Sequence, residues 1–186
     1  VHYNLLEPAL IEAAIRRGEP DLVITRDGVL VAHGSRDPRF ADTAYRVRAA
    51  VAQRIPHVDV ELSFLDLNTP LVADALTELD SDCVVVPLLL APGYHSEVDL
   101  PGIIADADNP TAVSITDVVG RAGLVGSLAD RLTEAGLAEG DGIIVTVVGS
   151  SNPTADRVVR RTALQLSTRL HRPVEVVYAT QLGTGD

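Results

Sequence analysis

Two histidines each lie just past an apolar run of β type: Gly28-Val-Leu-Val-Ala-His33-Gly-Ser-Arg-Asp-Pro38 and Val84-Val-Val-Pro-Leu-Leu-Leu-Ala-Pro-Gly-Tyr-His95-Ser-Glu-Val-Asp-Leu-Pro101. Neutral imidazoles converging from adjacent strands can ligate a divalent transition metal or accept protons near neutral pH, and imidazole suits Fe, Co, Ni and Zn. Two ligands make an open site, poor for structure and good for a metal in transit. Structural zinc wants four closed ligands, and no Cys-x-x-Cys or His-x-x-x-His spacing supplies them. Asp66, at the end of the run Ser63-Phe-Leu-Asp66, is a candidate third member on the same rim, with a turn-forming aspartate as the plainer reading. Glu97 and Asp99 follow His95 closely and could line a cation path, and Asp99 could equally cap a helix opening at Leu100 and Pro101.

Other chemistries fit less well. A serine hydrolase needs a Gly-x-Ser-x-Gly elbow, and Ser35 lies in His-Gly-Ser-Arg with no second glycine. A dinucleotide site needs Gly-x-Gly-x-x-Gly after its first strand, where this chain offers one glycine. Cys83, the single cysteine, cannot form an internal disulfide and reads as core. His57 and His171 fall where helices end and are explained by the helix dipole.

The elements that must position these residues follow from the apolar pattern. Parallel strands buried on both faces read as continuous Val/Ile/Leu runs, and ligands in open α/β sheets bind outside the strands' carboxyl ends. The spacing predicts strands over 28–32, 58–65 and 83–90, with helices over 40–54, 70–79 and 100–107, Thr69 capping the second of these helices and Ser35 or Asp37 the first. Such alternation implies an α/β fold with a mostly parallel sheet flanked by helices. Residues 1–27 read as an appended helix with Leu6, Leu10 and Ala13 or Ala14 on one face. Residues 28–121 form a first lobe carrying the site.

From Gly142 the pattern recurs. Gly142-Ile-Ile-Val-Thr-Val-Val-Gly149-Ser150-Ser-Asn-Pro153 resembles the Gly28 to Pro38 segment, its Gly-Ser and proline recurring 115 positions later, which places Val148 where the first copy has His33. A helix over 154–170 and a Val-rich strand follow, so residues 122–186 read as a second, similar lobe that stops after its second strand.

The chain has 186 residues, 46% hydrophobic and 22% charged, which is ordinary for a globular protein. A formal net charge of −11 argues against nucleic acid as the main partner. Arg36, Arg39, Arg46 and Arg48 nonetheless cluster after His33, where they either solvate a helix or receive a small anion. The charge-free stretch around His95 has 14 residues, too few for a membrane span, and no leader is visible at the N-terminus, so the expected compartment is the cytoplasm.

Taken in order, Ala32-His33-Gly34-Ser35-Arg36, Ser63-Phe-Leu-Asp66-Leu and Val86 through Pro101 with Tyr94-His95-Ser-Glu-Val-Asp99 resemble the motifs of the class II chelatases, the sirohydrochlorin cobaltochelatases and ferrochelatases of cobalamin and siroheme synthesis. The resemblance covers roughly residues 28–117. It implies two chelatase-like lobes around a cleft, and insertion of Co²⁺ or Fe²⁺ into the tetrapyrrole sirohydrochlorin with no cofactor beyond the metal substrate, cobalt being favoured by its frequency in the family. His33 and His95 would take the metal and the pyrrole protons, and Asp66 would assist, with a shorter reach than the glutamate some members carry. Ser35, Arg36, Arg39 and the amides after Gly34 would anchor the substrate's carboxylates, and Tyr94, Leu88, Leu90 and Phe64 would form an apolar wall. A binding protein holding metal or tetrapyrrole without turnover is the alternative. The shortened second lobe implies either a fragment of a longer chain or a homodimer.

Overall fold

The computed structural model describes residues 11, 12, 15, 27–107, 112–122, 124–150 and 152–179. Its elements run β1 (Asp27–Ala32), α1 (Pro38–Arg54), β2 (Val60–Phe64), α2 (Val72–Thr77), β3 (Cys83–Pro87), a π-helical turn (His95–Asp99), α3 (Leu100–Asp106), β4 (Val113–Ile115), a short 3₁₀ turn (Val119–Ala122), α4 (Val125–Glu134), β5 (Ile143–Val147), α5 (Pro153–Leu170) and β6 (Val174–Tyr178). The first four strands form one parallel sheet in the order β2-β1-β3-β4, and β5 and β6 form a second parallel pair. The expected α/β fold with two parallel sheets flanked by helices is what the chain adopts, the second sheet being the small one.

Alternation along β1 assigns the two faces of the larger sheet. Leu30 and Ala32 point with Val60, Leu62, Phe64, Val84 and Val86 into a layer closed by Ala44, Val47 and Val51 of α1. Val29 and Val31 point the other way, with Cys83 and Val85, against Val72 and Leu76 of α2 and Leu100 of α3. Burial on both faces explains why these strands read as unbroken apolar runs. Cys83 is fully buried, as its place in such a run requires.

Boundaries moved where tertiary contacts compete with local propensity. The second helix begins at Val72 rather than Pro70, because the Phe64 amide donates to the Pro70 carbonyl and Leu71 bridges to Phe64, holding this stretch against the end of β2. Thr69 therefore does not cap it; Leu71 holds that place without a side-chain hydrogen bond. The third strand stops at Pro87, which frees Leu88 to Tyr94 for the loop carrying His95.

The N-terminal segment enters the core. Leu6, Leu10, Ala13 and Ala14 lie outside the described residues, whereas Ile11, Glu12 and Ile15 are helical. Ile11 and Ile15 are fully buried in the layer under α1, and the Glu12 carboxylate meets the Arg54 guanidinium at 2.7 Å. No helix among the described residues is long and apolar enough to cross a membrane.

The second lobe buries one face only. Ile143, Val145 and Val174 pack with Ala129 of α4 and Leu166 of α5, while Ile144 and Val177, on the opposite face of the pair, are exposed. Truncating Ile15→Ala should lower unfolding stability by about 2–4 kcal/mol, the usual cost of removing a buried isoleucine side chain, in a urea titration. A loss near zero would mean that the N-terminal segment is not integral to the first lobe.

Candidate functional site

Strand order creates the site. The chain leaves β1 through α1 on one face of the sheet, whereas α2 and α3 lie on the other, so the ends of β1 and β3 flank a topological switch point. His33 follows β1 directly and His95 follows β3 after the Leu88 to Tyr94 loop. Their Nε2 atoms stand 3.1 Å apart, with the rings nearly perpendicular.

Each imidazole is oriented from behind. The Nδ1 of His95 lies 2.7 Å from Oδ2 of Asp99, and the Nδ1 of His33 lies 3.1 Å from the Gly34 carbonyl. Carboxylate and carbonyl are both acceptors; in the tautomer that places the N–H of each ring on Nδ1, toward them, the two Nε2 lone pairs face each other. Two facing lone pairs repel unless a cation, a proton or a metal ion, lies between them. Metal–nitrogen bonds of about 2.0–2.1 Å drawn to both atoms subtend an angle of about 100° at the metal, between the tetrahedral and cis-octahedral values. The pair could thus hold a metal through two nitrogens, each ring being oriented by the contact behind it.

The turn that carries His95 has a sequence cause. In a continuous α-helix the amide of residue 101 would donate to the Glu97 carbonyl, but Pro101 has no N–H. The turn opens to π geometry, closed by the Leu100 amide on the His95 carbonyl, a form that recurs at functional sites. Asp99 makes no side-chain cap for α3, contrary to the capping alternative; its carboxylate is the partner of His95.

The His33 turn is built by close approach. Gly34 has φ +99°, and a Cβ there would fall 1.7 Å from the Asp66 carbonyl oxygen, so only glycine lets the turns after β1 and β2 touch. The Asp66 amide donates to the His33 carbonyl, placing Asp66 beside His33 on the rim. Its carboxylate accepts the Leu67 amide at 2.7 Å. Among the described residues no group of three or more His, Cys, Asp and Glu side chains converges as a metal cage, so the two imidazoles stand as a pair without the Asp66 carboxylate as a third ligand. Asn68, which the sequence reading missed, holds the turn through its Oδ1, which accepts the Ser35 amide at 2.8 Å. Its signal was an amide side chain two residues past Asp66.

The other candidates divide. Ser35 Oγ accepts the Asp37 amide within the turn, so the amides of residues 35 and 37, expected to face an anion, are both used internally. Asp37 caps α1 and binds Arg39 in a forked pair, which lowers its carboxyl to about 2. Arg39 thereby brings a partly neutralised charge to the rim, whereas Arg36 is exposed and has no hydrogen bond or ion pair among the described residues. Arg46 and Arg48 bond to Thr43 and to the Val60 carbonyl and serve the helix and sheet. Tyr94, exposed, and Leu90 remain available as apolar surface, with the Tyr94 ring centroid 6.3 Å from that of His95. Phe64 and Leu88 do not join them, because both are buried in the layer under α1.

The CbiX family model matches residues 27–135, which is more than half of the chain. The chain belongs to the CbiX family. This is the class II chelatase family that the motifs resembled. A sirohydrochlorin cobaltochelatase from Methanococcoides burtonii is 30% identical over 82 residues, 41% of this chain and 63% of that relative, so the chain spans less than two thirds of that relative's length. Among solved structures, SirB from Bacillus subtilis with Fe³⁺ superposes with a TM-score of 0.71 at 25% identity, over 86% of this chain and 68% of that one. The sirohydrochlorin chelatase SirB from Bacillus subtilis subspecies spizizenii in complex with cobalt gives a TM-score of 0.67 at 25% identity, over 82% and 67% of the two chains.

Gly34→Ala tests the architecture of this CbiX family site. A side chain at that φ, driven into the Asp66 carbonyl, should cost more than about 2 kcal/mol of stability by chemical denaturation. An alanine variant as stable as the parent would show that the turns after β1 and β2 do not approach as described.

Proposed function

We propose that the protein is a sirohydrochlorin chelatase that inserts a divalent metal, Co²⁺ or Fe²⁺, into the tetrapyrrole in cobalamin or siroheme biosynthesis. The observation that carries this reading is the facing Nε2 pair of His33 and His95 with Asp99 behind it. Insertion exchanges two pyrrole N–H protons for one dication, so charge balances if two protons leave as the metal enters. An open pair of neutral imidazoles supports both halves of that exchange. Each Nε2 gives up the metal as a pyrrole nitrogen takes it, and is then free to accept the proton which that nitrogen releases. A closed cage of carboxylates or thiolates would hold the metal too tightly to pass it on.

Asp66 assists from the same rim, where an exposed carboxylate can draw the cation in and relay protons to solvent. Sirohydrochlorin is a polycarboxylate, which suits Arg36 and the exposed guanidinium of Arg39, while Ser35 shapes the turn beneath them. Tyr94 and Leu90 offer the flat macrocycle an apolar surface beside His95. The Asp99 carboxylate acts through His95: by accepting from Nδ1 it orients the ring and keeps the Nε2 lone pair available. The residues used lie on the first lobe, with the second lobe completing the cleft. The sites of action would be the cytoplasm and small molecules only, with no nucleic acid or membrane partner, and pairing of two copies through the uncovered second lobe remains part of the proposal.

The deciding experiment follows the absorbance of sirohydrochlorin mixed anaerobically with Co²⁺ or with Fe²⁺, with and without protein. Acceleration by the parent protein, lost about 100-fold or more in His33→Ala and in His95→Ala, is the expected result for groups that handle the metal and its protons. Asp99→Asn should lower activity and Co²⁺ affinity by about 10–100-fold, the usual cost of losing an outer-sphere carboxylate. A stoichiometric shift of the pigment spectrum with no acceleration would favour a binding protein, a role consistent with the valine that replaces histidine in the second copy. Full activity in both histidine variants would overturn the proposal.

A further inference from the structure

The two similar turns differ at His33/Val148, Arg36/Ser151, Asp37/Asn152 and Arg39/Thr154, and the Asp37/Asn152 difference bears on a contact between the lobes. In the first copy Gly34 (φ +99°), Ser35, Asp37 and Pro38 build the entry to α1; in the second, Gly149 (φ +102°), Ser150, Asn152 and Pro153 build the entry to α5. Ser35 and Ser150 each accept the amide two residues on, at 3.1 Å in both copies. Asp37 accepts the Arg39 amide, and Asn152 accepts the Thr154 amide. In the first copy the other carboxylate oxygen is taken by the guanidinium of Arg39. The second copy has threonine at that position and asparagine in place of the aspartate.

The exchanged amide finds a different partner. Asn152 Nδ2 donates to Glu97 Oε2 at 2.7 Å, across 55 residues of sequence. Glu97 lies within the π-helical turn between His95 and Asp99, so the contact ties the turn bearing the second histidine directly to the cap of α5. An aspartate at 152 would cap the helix equally well but would set two carboxylates face to face. Repetition of the first copy's sequence is therefore incompatible with this contact, and Asp-to-Asn divergence is what permits it.

We propose that Glu97 and Asn152 form an interlobe latch that positions the His95 turn against the second lobe and sets the width of the cleft that admits the substrate. They are positioning residues, acting through His95 and the lobe orientation without touching the reacting atoms. The substrate consequence rests on the chelatase reading above; the latch itself does not. When the latch holds, the second lobe, which lacks its own histidine, serves as the fixed wall against which the reactive turn is held.

The test uses the direction of the hydrogen bond. Asn152→Asp keeps the helix cap and removes the donor, so the contact turns repulsive. Glu97→Gln keeps an acceptor and so keeps the bond. In the double variant the introduced glutamine donates to the introduced aspartate, and the bond returns with reversed polarity. Spin labels on Asp74→Cys of α2 and Gln165→Cys of α5, both exposed, report the interlobe distance, Cys83 being buried. Asn152→Asp should broaden and lengthen the distance distribution with an unchanged circular dichroism spectrum, Glu97→Gln should retain the parent distribution, and the double variant should recover it. In the insertion assay the single Asn152→Asp change should raise KM for sirohydrochlorin about fivefold with little change in kcat, and the double variant should reverse that rise. A parent-like distribution in Asn152→Asp, or a double variant as broad as the single, overturns the latch. If the parent protein shows no insertion activity, the chelatase reading fails while the distance measurement still decides the latch.

Discussion

The parallel pairing of β1 between β2 and β3 is the constraint on which the rest of this protein depends. Val31 of β1 registers with Ser63 on one side and Pro87 on the other, and beyond the strands the Leu65 and Leu88 amides still bond to the Ala32 and Val31 carbonyls. Because Val29 and Val31 are buried on one face and Leu30 and Ala32 on the other, a one-residue slip of β1 would exchange both sets of contacts at once. That register delivers His33 to the rim beside the loop that brings back His95. Helices on opposite faces then leave the crevice between the ends of β1 and β3 open.

Within that crevice the chemistry is decided by hydrogen-bond accounting. The Gly34 carbonyl and the Asp99 carboxylate each claim one imidazole proton, and the two remaining lone pairs converge. Should the pair take a metal, as proposed, it would offer two nitrogens that are oriented from behind and otherwise open. That combination suits transfer of a cation better than its storage.

The second lobe carries the same turn, the same helix entry and a parallel strand pair of the same kind, without the histidine. Val148 holds the place of His33. What the second copy kept is geometry: a glycine at positive φ, a serine bracing the turn and a short polar cap before proline. Its polar cap then acquired a new partner in the first lobe. The repeat thus retains its architecture where backbone sterics demand it and diverges where side chains meet the other lobe.

Much of this was legible in the chain because it rests on local rules. Unbroken apolar runs marked the buried strands, Ser35 or Asp37 marked the entry to the first long helix, and the spacing of His33, Asp66 and His95 after three strands named the rim residues. Other features depended on contacts distant in sequence. The cap expected of Asp99 gave way to His95 because Pro101 opens a π turn that brings the two side chains together, and Phe64, which reads as a wall residue, turned inward with the alternation of β2. Burial of Ile11 and Ile15, support of the His33 turn by Asn68, and the Glu97–Asn152 contact likewise join residues tens of positions apart. The sequence by itself determined which residues could bind and move a cation and which elements carry them, since periodicity, turn residues and caps act over a few positions. Only the tertiary structure decided that the two imidazoles face each other at 3.1 Å and that Asp66 stands beside them rather than among them, because strand order and side-chain direction are settled by packing the whole sheet.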